Sequence, residues 1–577
     1  MSPARRLGRY LYRYRLRYAL GVACLLAATG LSLGIPWMVK RAVDAMSRDG
    51  AAGLWRYVVA ILALAAGHGV ARMGSRFTML GAGQWVEHDV RGELYAHLAK
   101  LPPAFYHEHR IGDLMSRASN DISAIRQVAS FGTVMLAGTT FTVIGTVAAM
   151  WVIDPWLTAC AMAPFPLLVL IARHFNHQVE VRSTAVQEQL GVLSAKIQEN
   201  LAGMPVVRAY TMETREIGEF AALNREYLGR GMRLAGVQSV SWPMMGLVSG
   251  IGALIILWLG GRAVVEQRIT LGGFVAFNGY LAHLAWPTIA LGWTLASVKR
   301  GLAAMRRVVE ILDTSPPADA SHDEPGALPA GAIEFRDLTF AYAAGRAALS
   351  GVSFRIPEGG LVAVVGPTGS GKSTLGLLLC RLFEPPRGSV FIAGRDVRDV
   401  PVRRLRRSVG FVPQEAFLFS RSLRDNVLLG VLDVSTDAHV AAAEAAGLTE
   451  EVERFPQGWD TVVGERGQSL SGGQRQRAAL ARALAGAPPY LVLDDVLAAV
   501  DAAKEWEILA SLRVAVSGRT TLLVTHRLRA AQEADWIVVL EEGRLVETGR
   551  HADLLAKGGL YARLWRVQQL EDELARA

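Results

Sequence analysis

Cysteine is scarce in this chain. Cys24, Cys160 and Cys380 are the only three among 577 residues, and no CxxC pair occurs. That excludes a disulfide framework and a cysteine-held metal cluster. Charge is scarce too: Asp, Glu, Lys and Arg make up 20% of the chain against 51% hydrophobic residues. With a mean hydropathy of +0.25, this excludes an ordinary soluble protein and indicates a membrane-embedded part joined to a soluble one. There is no internal repeat, and no acid-lined path or ring of charge crosses the apolar segments. The net charge of +9 could suit nucleic acid, but the cations flank apolar runs, so no nucleic-acid partner is expected. Arg5, Arg6, Arg9, Arg13, Arg15 and Arg17, with Tyr10, Tyr12, Tyr14 and Tyr18 between them, precede the first run without an acid. This reads as a cytoplasmic, interfacial lead-in to a spanning helix and not as a cleavable signal.

Long apolar runs are what the first half has in abundance. They lie near 18–39, 54–77, 131–153, 156–174, 238–262 and 271–296, each close to the ~20 residues that cross the hydrocarbon core. Pro36, Pro164 and Pro287 fall inside them, which packed membrane helices accommodate. The intervals 78–130 and 175–237 are long, charged and helix-like; the others are short. An even number of spans after an Arg-rich start puts both termini and both long intervals in the cytoplasm. Lys40, Arg41 and Arg48 then lie outside, against the positive-inside bias, with Asp44 and Asp49 partly offsetting them.

At 313–332 the chain reads DTSPPADASHDEPGALPAGA, a polar linker rich in Pro, Ala and Gly. Short β-branched runs, glycine turns and amphipathic helices follow, as in a soluble α/β domain. The expected fold is an all-α polytopic membrane domain, 1–312, of six transmembrane helices with long cytoplasmic extensions. After the linker comes an α/β phosphate-loop nucleotide-binding domain, 333–577.

Residues 361–374, LVAVVGPTGSGKST, run from a buried strand into a helix through Gly366, Pro367, Thr368, Gly369, Ser370, Gly371, Lys372 and Ser373. These match G-x-x-x-x-G-K-[ST], whose backbone wraps phosphates, and Thr374 follows. Lys372 is expected to reach the β and γ phosphates of ATP, and the Ser373 hydroxyl to ligate Mg²⁺. Asp494 ends the apolar strand 490–493, where a second Mg²⁺-holding acid belongs. Leu470, Ser471, Gly472, Gly473 and Gln474 stand before a helix-like RQRAALARALAG, and glycines with a serine at a helix N-terminus make an anion site. A second phosphate site makes sense if it binds a nucleotide held by another copy of the domain.

GPTGSGKST, LSGGQ, the strand ending in Asp494 and the later VTHR together resemble the ATP-binding cassette transporters. A six-span half followed by a cassette resembles their exporter type, and the resemblance covers nearly the whole chain. It implies an ATPase coupled to transport, with ATP and Mg²⁺ as cofactors, in the cytoplasmic (inner) membrane of a bacterium with the cassette in the cytoplasm. Tyr342, in FAY, matches the aromatic that stacks on adenine; a strand-core tyrosine is the alternative. Gln414, in FVPQEAFLFS, matches the glutamine that touches Mg²⁺ and the attacking water. His526 matches the switch histidine at the γ-phosphate, and Asp501 the acid of the loop crossing the dimer interface. Gly464-Glu465-Arg466-Gly467 resembles a segment that senses the intracellular loops, and 112–126 and 203–217 resemble the two coupling helices.

The residue after Asp494 is Asp495, where the family carries the glutamate that polarises the hydrolytic water. Asp withdraws the carboxylate by roughly 1.5 Å, one C–C bond, and a misplacement near 1 Å can cost about a hundredfold in rate. Ala498 also replaces the usual serine. The LSGGQ is intact, so the resemblance narrows to one half of a heterodimer with a dissimilar partner subunit: a slow ATP site of its own and a sound signature to lend. A homodimeric lipid flippase with Asp495 as working base, or a heterodimeric exporter of small thiols, is the alternative. His68, Asn278 and His283 are polar residues in spans that either face a translocation path or bond a neighbouring helix. Trp286 and Trp293 either bind apolar cargo or sit at an interface. The cargo expected is hydrophobic or amphiphilic: drugs, lipids or peptides.

Overall fold

The computed structural model describes residues 2–49, 53–316, 326–342, 345, 347–431, 438–464, 467, 469–496, 513 and 516–576. Side chains are not described at 49, 242, 245, 248, 249, 285, 286, 288, 289, 291–293, 572, 575 and 576. The chain divides into two compact units: Met1–Lys100 with Arg110–Ser315, and Leu101–His109 with Pro316–Ala577.

Among the described residues, every regular element of the first unit is a helix. Four of its helical stretches are long and apolar enough to cross a membrane: Arg15–Arg48, Leu54–Leu98, Ile111–Ile153 and Pro155–Ala202. The other two apolar runs fall on Glu213–Ile255 with its continuation to Val265, and on Leu271–Leu312. Helix Leu54–Leu98 has 45 residues, about 68 Å at 1.5 Å per residue, over twice the ~30 Å hydrocarbon core. Its surplus is the charged interval after the apolar run. Asp154 caps the next helix by accepting from Leu157 N at 2.8 Å, and Pro155 takes the first helical position, where its missing N–H costs nothing.

Ion pairs gather on the extensions. Asp121 is buried and accepts from Arg307 Nε at 2.8 Å and Nη2 at 2.5 Å. Lys196 lies 2.6 Å from Glu216 and 2.8 Å from Glu219. The arginine–tyrosine lead-in is bonded to protein: Arg6 pairs with Glu93 and Asp313, Tyr10 donates to Glu93 and Tyr14 to Asp89. Burial, then the Glu93 carboxylate, pushes the Tyr10 hydroxyl well above its usual pKa. On the side read as outer, Asp44 accepts from Gly272 N and Thr270 Oγ1, each at 3.0 Å. Its negative charge thus sits at the positive N-terminal end of Leu271–Leu312.

The second unit holds two sheets. The smaller runs β2 (Ala347–Ile356), β1 (Ile333–Ala341), β4 (Val390–Ile392), β5 (Arg395–Asp396). The larger runs β10 (Arg544–Gly549), β9 (Trp536–Glu541), β3 (Leu361–Val365), β8 (Thr520–Val524), β7 (Tyr490–Asp494), β6 (Val409–Val412). All its pairings are parallel except β9 with β10. Alternate residues of β3, β7 and β8 enter different cores: Ala363, Leu491 and Leu523 pack with helix Gly472–Ala485, while Val362, Val492 and Leu522 pack with β1, β2 and helix Lys372–Leu379. Burial on both faces is why these strands read as unbroken apolar runs.

Arg477, in helix Gly472–Ala485, makes a buried bidentate pair with Glu451, Nε to Oε2 at 3.1 Å. Glu451→Ala should leave a buried guanidinium without its carboxylate and cost about 3–5 kcal/mol. The check is the temperature at which the full chain in detergent loses ATP binding, which should fall well below that of wild type.

Candidate functional site

Four neighbouring parallel strands deliver the candidate nucleotide site, at the carboxyl ends where open parallel sheets bind ligands. In the order β3, β8, β7, β6, the loop 366–371 leaves β3, His526 follows β8, Asp494 and Asp495 close β7, and Gln414 follows β6. Gln414 is exposed.

The loop needs its glycines. Gly366, Gly369 and Gly371 have φ of 148°, 82° and 91°. A Cβ at Gly366 would come within 2.0 Å of the Leu540 carbonyl oxygen, and one at Gly371 within 2.4 Å of that of Ala348. Pro367, Thr368 and Ser370 complete it, and Lys372 opens the helix. The buried Lys372 ammonium donates to Gly366 O at 2.8 Å, Pro367 O at 2.7 Å and Ser370 Oγ at 3.3 Å. Desolvation lowers its pKa to about 8, against the opposing pull of Asp495 and Asp494.

Ser373 Oγ donates to Asp494 Oδ1 at 3.0 Å. Burial raises the Asp494 pKa; the Ser373 bond opposes this and the Asp495 charge adds to it. A hydroxyl and a carboxylate are the hard oxygen donors Mg²⁺ takes, and that ion is usually completed by phosphates and water. Among the described residues no group of three or more His, Cys, Asp and Glu could hold a metal, and none is needed for such a site. These residues fit ATP–Mg²⁺.

Asp495 is buried and lies at φ 51°, a left-handed conformation that Asp tolerates better than most side chains. Its Oδ1 accepts from His526 N at 3.4 Å, its own N–H donates to Val524 O at 2.8 Å, and its carbonyl accepts from Gln476 Nε2 at 3.4 Å. The His526 imidazole is held below its ordinary pKa by desolvation first and by Lys372 second, with Asp495 opposing. Tyr342 bonds Thr374 Oγ1 at 3.0 Å and stands edge-on to Phe383 at 5.0 Å, leaving it 37% exposed. It is not a closed strand-core residue.

The signature caps its own helix. Ser471 Oγ accepts from Gln474 N at 3.2 Å, and Gln474 Oε1 accepts from Ser471 N at 2.9 Å. This capping box was legible as Ser-x-x-Gln and was missed. Leu470 is buried; Gly472 and Gly473 are half-buried. Asp501, Ala498, Glu465 and Arg466 lie outside the described residues.

Sequence reasoning also missed Leu101–His109, which belongs to the cassette unit. Phe105 is buried and stacks on His109 at 4.1 Å, and the His107 ring lies 5.8 Å from Phe383. A row of rings therefore runs from Tyr342 through Phe383 to His107. Segment 112–126 belongs instead to the membrane unit, where Ile122 and Ile125 are fully buried and Asp121 is held by Arg307. Sequence periodicity does not say which body a helix face meets.

In the membrane unit a cavity of about 680 Å³ is lined by His68 and His283 among others. His68 Nδ1 is 2.8 Å from Ala28 O. Asn278 is exposed and does not line the cavity, and the side chains of Trp286 and Trp293 are not described.

Two family models match the chain: an ABC transporter transmembrane region over residues 18–288, and an ABC transporter model over 349–498. The chain is 34% identical over 579 residues to a "Probable multidrug resistance ABC transporter ATP-binding/permease protein" of Bacillus subtilis, covering 99% of this chain and 98% of that one. It is 34% identical over 561 residues to an ATP-dependent lipid A-core flippase of Syntrophus aciditrophicus, covering 97% and 93%. The solved structure of a bacterial Atm1-family ABC exporter with ATP bound superposes with a TM-score of 0.80 at 29% identity, covering 96% of this chain and 99% of that one.

The lowered Lys372 pKa sets a pH dependence. Below about 8 the ammonium is charged before ATP arrives; above that, binding must first take up a proton. Affinity for ATP–Mg²⁺ should therefore fall as pH rises past that point, by up to about tenfold per unit. Titration with a fluorescent ATP analogue from pH 7 to 10 checks this, and Lys372→Arg should flatten the profile.

Proposed function

The chain belongs to the ABC transporters, and we propose that it exports hydrophobic or amphiphilic compounds (drugs, lipids or peptides) as one half of a heterodimer with unequal ATP sites. It is an ATPase coupled to transport, using ATP with Mg²⁺. The observation that carries the proposal is Asp495. Its carboxylate is one methylene short of a glutamate's and lies within reach of the His526 backbone N–H, 3.4 Å away. A carboxylate held back beside the switch loop is poorly placed to polarise water beyond it. This site then mainly holds ATP between Tyr342, the phosphate loop, Ser373, Asp494, Gln414 and His526. The capped signature 470–474 and Asp501 serve the nucleotide shared with a dissimilar subunit.

Six spans in a bacterial inner membrane with a cytoplasmic cassette fit this reading. Four helical stretches have the length and apolarity, and two further helices extend over the remaining runs. The ring row from Tyr342 to His107 supports Leu101–His109 as the first segment by which nucleotide is felt outside the cassette core, since coupling needs physical contact. The 34% identity to a lipid A-core flippase favours a second reading, a homodimer in which Asp495 works at both sites.

Asp495→Glu should raise ATP hydrolysis at this site by up to about a hundredfold. Gly472→Asp should depress hydrolysis by the reconstituted pair more than Asp495→Ala does. Wild-type chain that is fully active without another subunit, or equal losses from the two variants, would favour the homodimer. His107→Ala should leave ATP binding in place and abolish stimulation of hydrolysis by cargo; stimulation that persists would remove Leu101–His109 from the coupling path.

A further inference from the structure

The cavity in the membrane unit is cationic. Besides the two histidines it is lined by Arg72 and Arg76, four residues apart on helix Leu54–Leu98 and hence on one face. Both are exposed to the open space. No Asp or Glu lines the cavity, and none occurs in the apolar runs 18–39, 54–77, 131–153 and 271–296 that supply its walls. Among the described residues neither guanidinium has an ion-pair or hydrogen-bond partner. Several other cations of the unit do meet acids: Arg307 pairs with Asp121, Lys196 with Glu216 and Arg6 with Glu93.

Two like charges one turn apart repel, and in or near hydrocarbon a charge is costly unless paired. No described residue of this chain supplies the countercharge. Arginine presents a planar fork of donors suited to phosphate or carboxylate. Hydroxyls of Thr139 and Thr142 line the same space, and Leu25 and Met135 give it apolar wall. The volume, about 680 Å³, is that of a site for a small organic ligand and not for an inorganic ion. Arg72 is 18 residues past Leu54, about 27 Å along the helix. With Leu54 at the outer face, this puts the pair near the inner edge of the ~30 Å core, where an inner-leaflet headgroup lies.

We propose that this cavity binds an anionic amphiphile, its phosphate or carboxylate held by Arg72 and Arg76 and its chain against the apolar wall. The proposal deepens the export reading and rests on it for the orientation of the helix. It predicts discrimination against cationic cargo, since no acid among this chain's described residues lines the cavity to receive it.

The test uses the full chain in its native assembly, in nanodiscs of phosphatidylcholine. Equilibrium binding is measured with radiolabelled dodecyl phosphate, with dodecyl maltoside, dodecyltrimethylammonium and inorganic phosphate as competitors. Dodecyl phosphate should bind saturably and resist all three. Arg72→Gln and Arg76→Gln should each weaken it about tenfold, as expected for a lost charge-assisted contact. Arg72→Lys and Arg76→Lys should recover part of the loss, which a folding defect would not allow. Unchanged binding in both Gln variants would overturn the proposal by making the arginines ordinary lipid-facing groups. Displacement by the trimethylammonium compound would overturn the charge selectivity, and displacement by inorganic phosphate the need for a chain. ATP-dependent uptake into inverted vesicles separates the two readings. Uptake indifferent to headgroup charge keeps export and removes this site, whereas selective binding without ATP-driven uptake keeps the site and removes export.

Discussion

Asp494 and Ser373 are 121 residues apart in the chain and 3.0 Å apart in space, and that approach depends on the parallel register of β7, β8 and β3. Asp494 pairs with Val524, and Val524 with Val364, so each strand hands its neighbour a fixed carboxyl end. A slip of one residue would exchange the two faces of a strand. It would put Val492 where Leu493 packs and carry the carboxylate away from the hydroxyl. Phosphate loop, acid pair, switch histidine and Gln414 all hang from the same ladder, and the two cores that clamp the sheet set the stiffness of the site.

The same ladder shapes the electrostatics. Lys372, Asp494 and Asp495 are all buried, where removal from water penalises charge of either sign. Desolvation lowers the lysine and raises Asp494, while their mutual attraction restrains both shifts. A triphosphate with its metal supplies charges that these groups are poised to meet. Asp495 shares the enclosure, but its left-handed backbone and its contact with His526 N turn it toward the switch loop.

The membrane unit solves a different electrostatic problem. Its acids stand outside the apolar runs, where Glu93, Asp89, Asp121 and Glu216 bind the cations of other helices. The runs themselves carry no acid, and 54–77, 156–174 and 238–262 carry arginines. That division lets helices longer than the bilayer be stitched together in water while the apolar stretch is left to packing. It also leaves Arg72 and Arg76 lining a cavity that no acid among the described residues lines.

Local chemistry was legible in the sequence alone. Glycine spacing in 366–371, the apolar strand ending in Asp494, the helix behind LSGGQ and the ~20-residue runs are each set by neighbours within a few positions. Backbone sterics, burial and hydrocarbon thickness act at that range. Tertiary structure decided what each face meets. It assigned Leu101–His109 to the cassette and 112–126 to the membrane unit. It turned Asp495 toward His526, tied the N-terminal arginines and tyrosines to acids up to 307 residues away, and left Arg72 and Arg76 without an acid among the described residues. Periodicity specifies that a face will be covered and charge that a group needs a partner; the partner itself is chosen by three-dimensional packing, to which a linear pattern is blind.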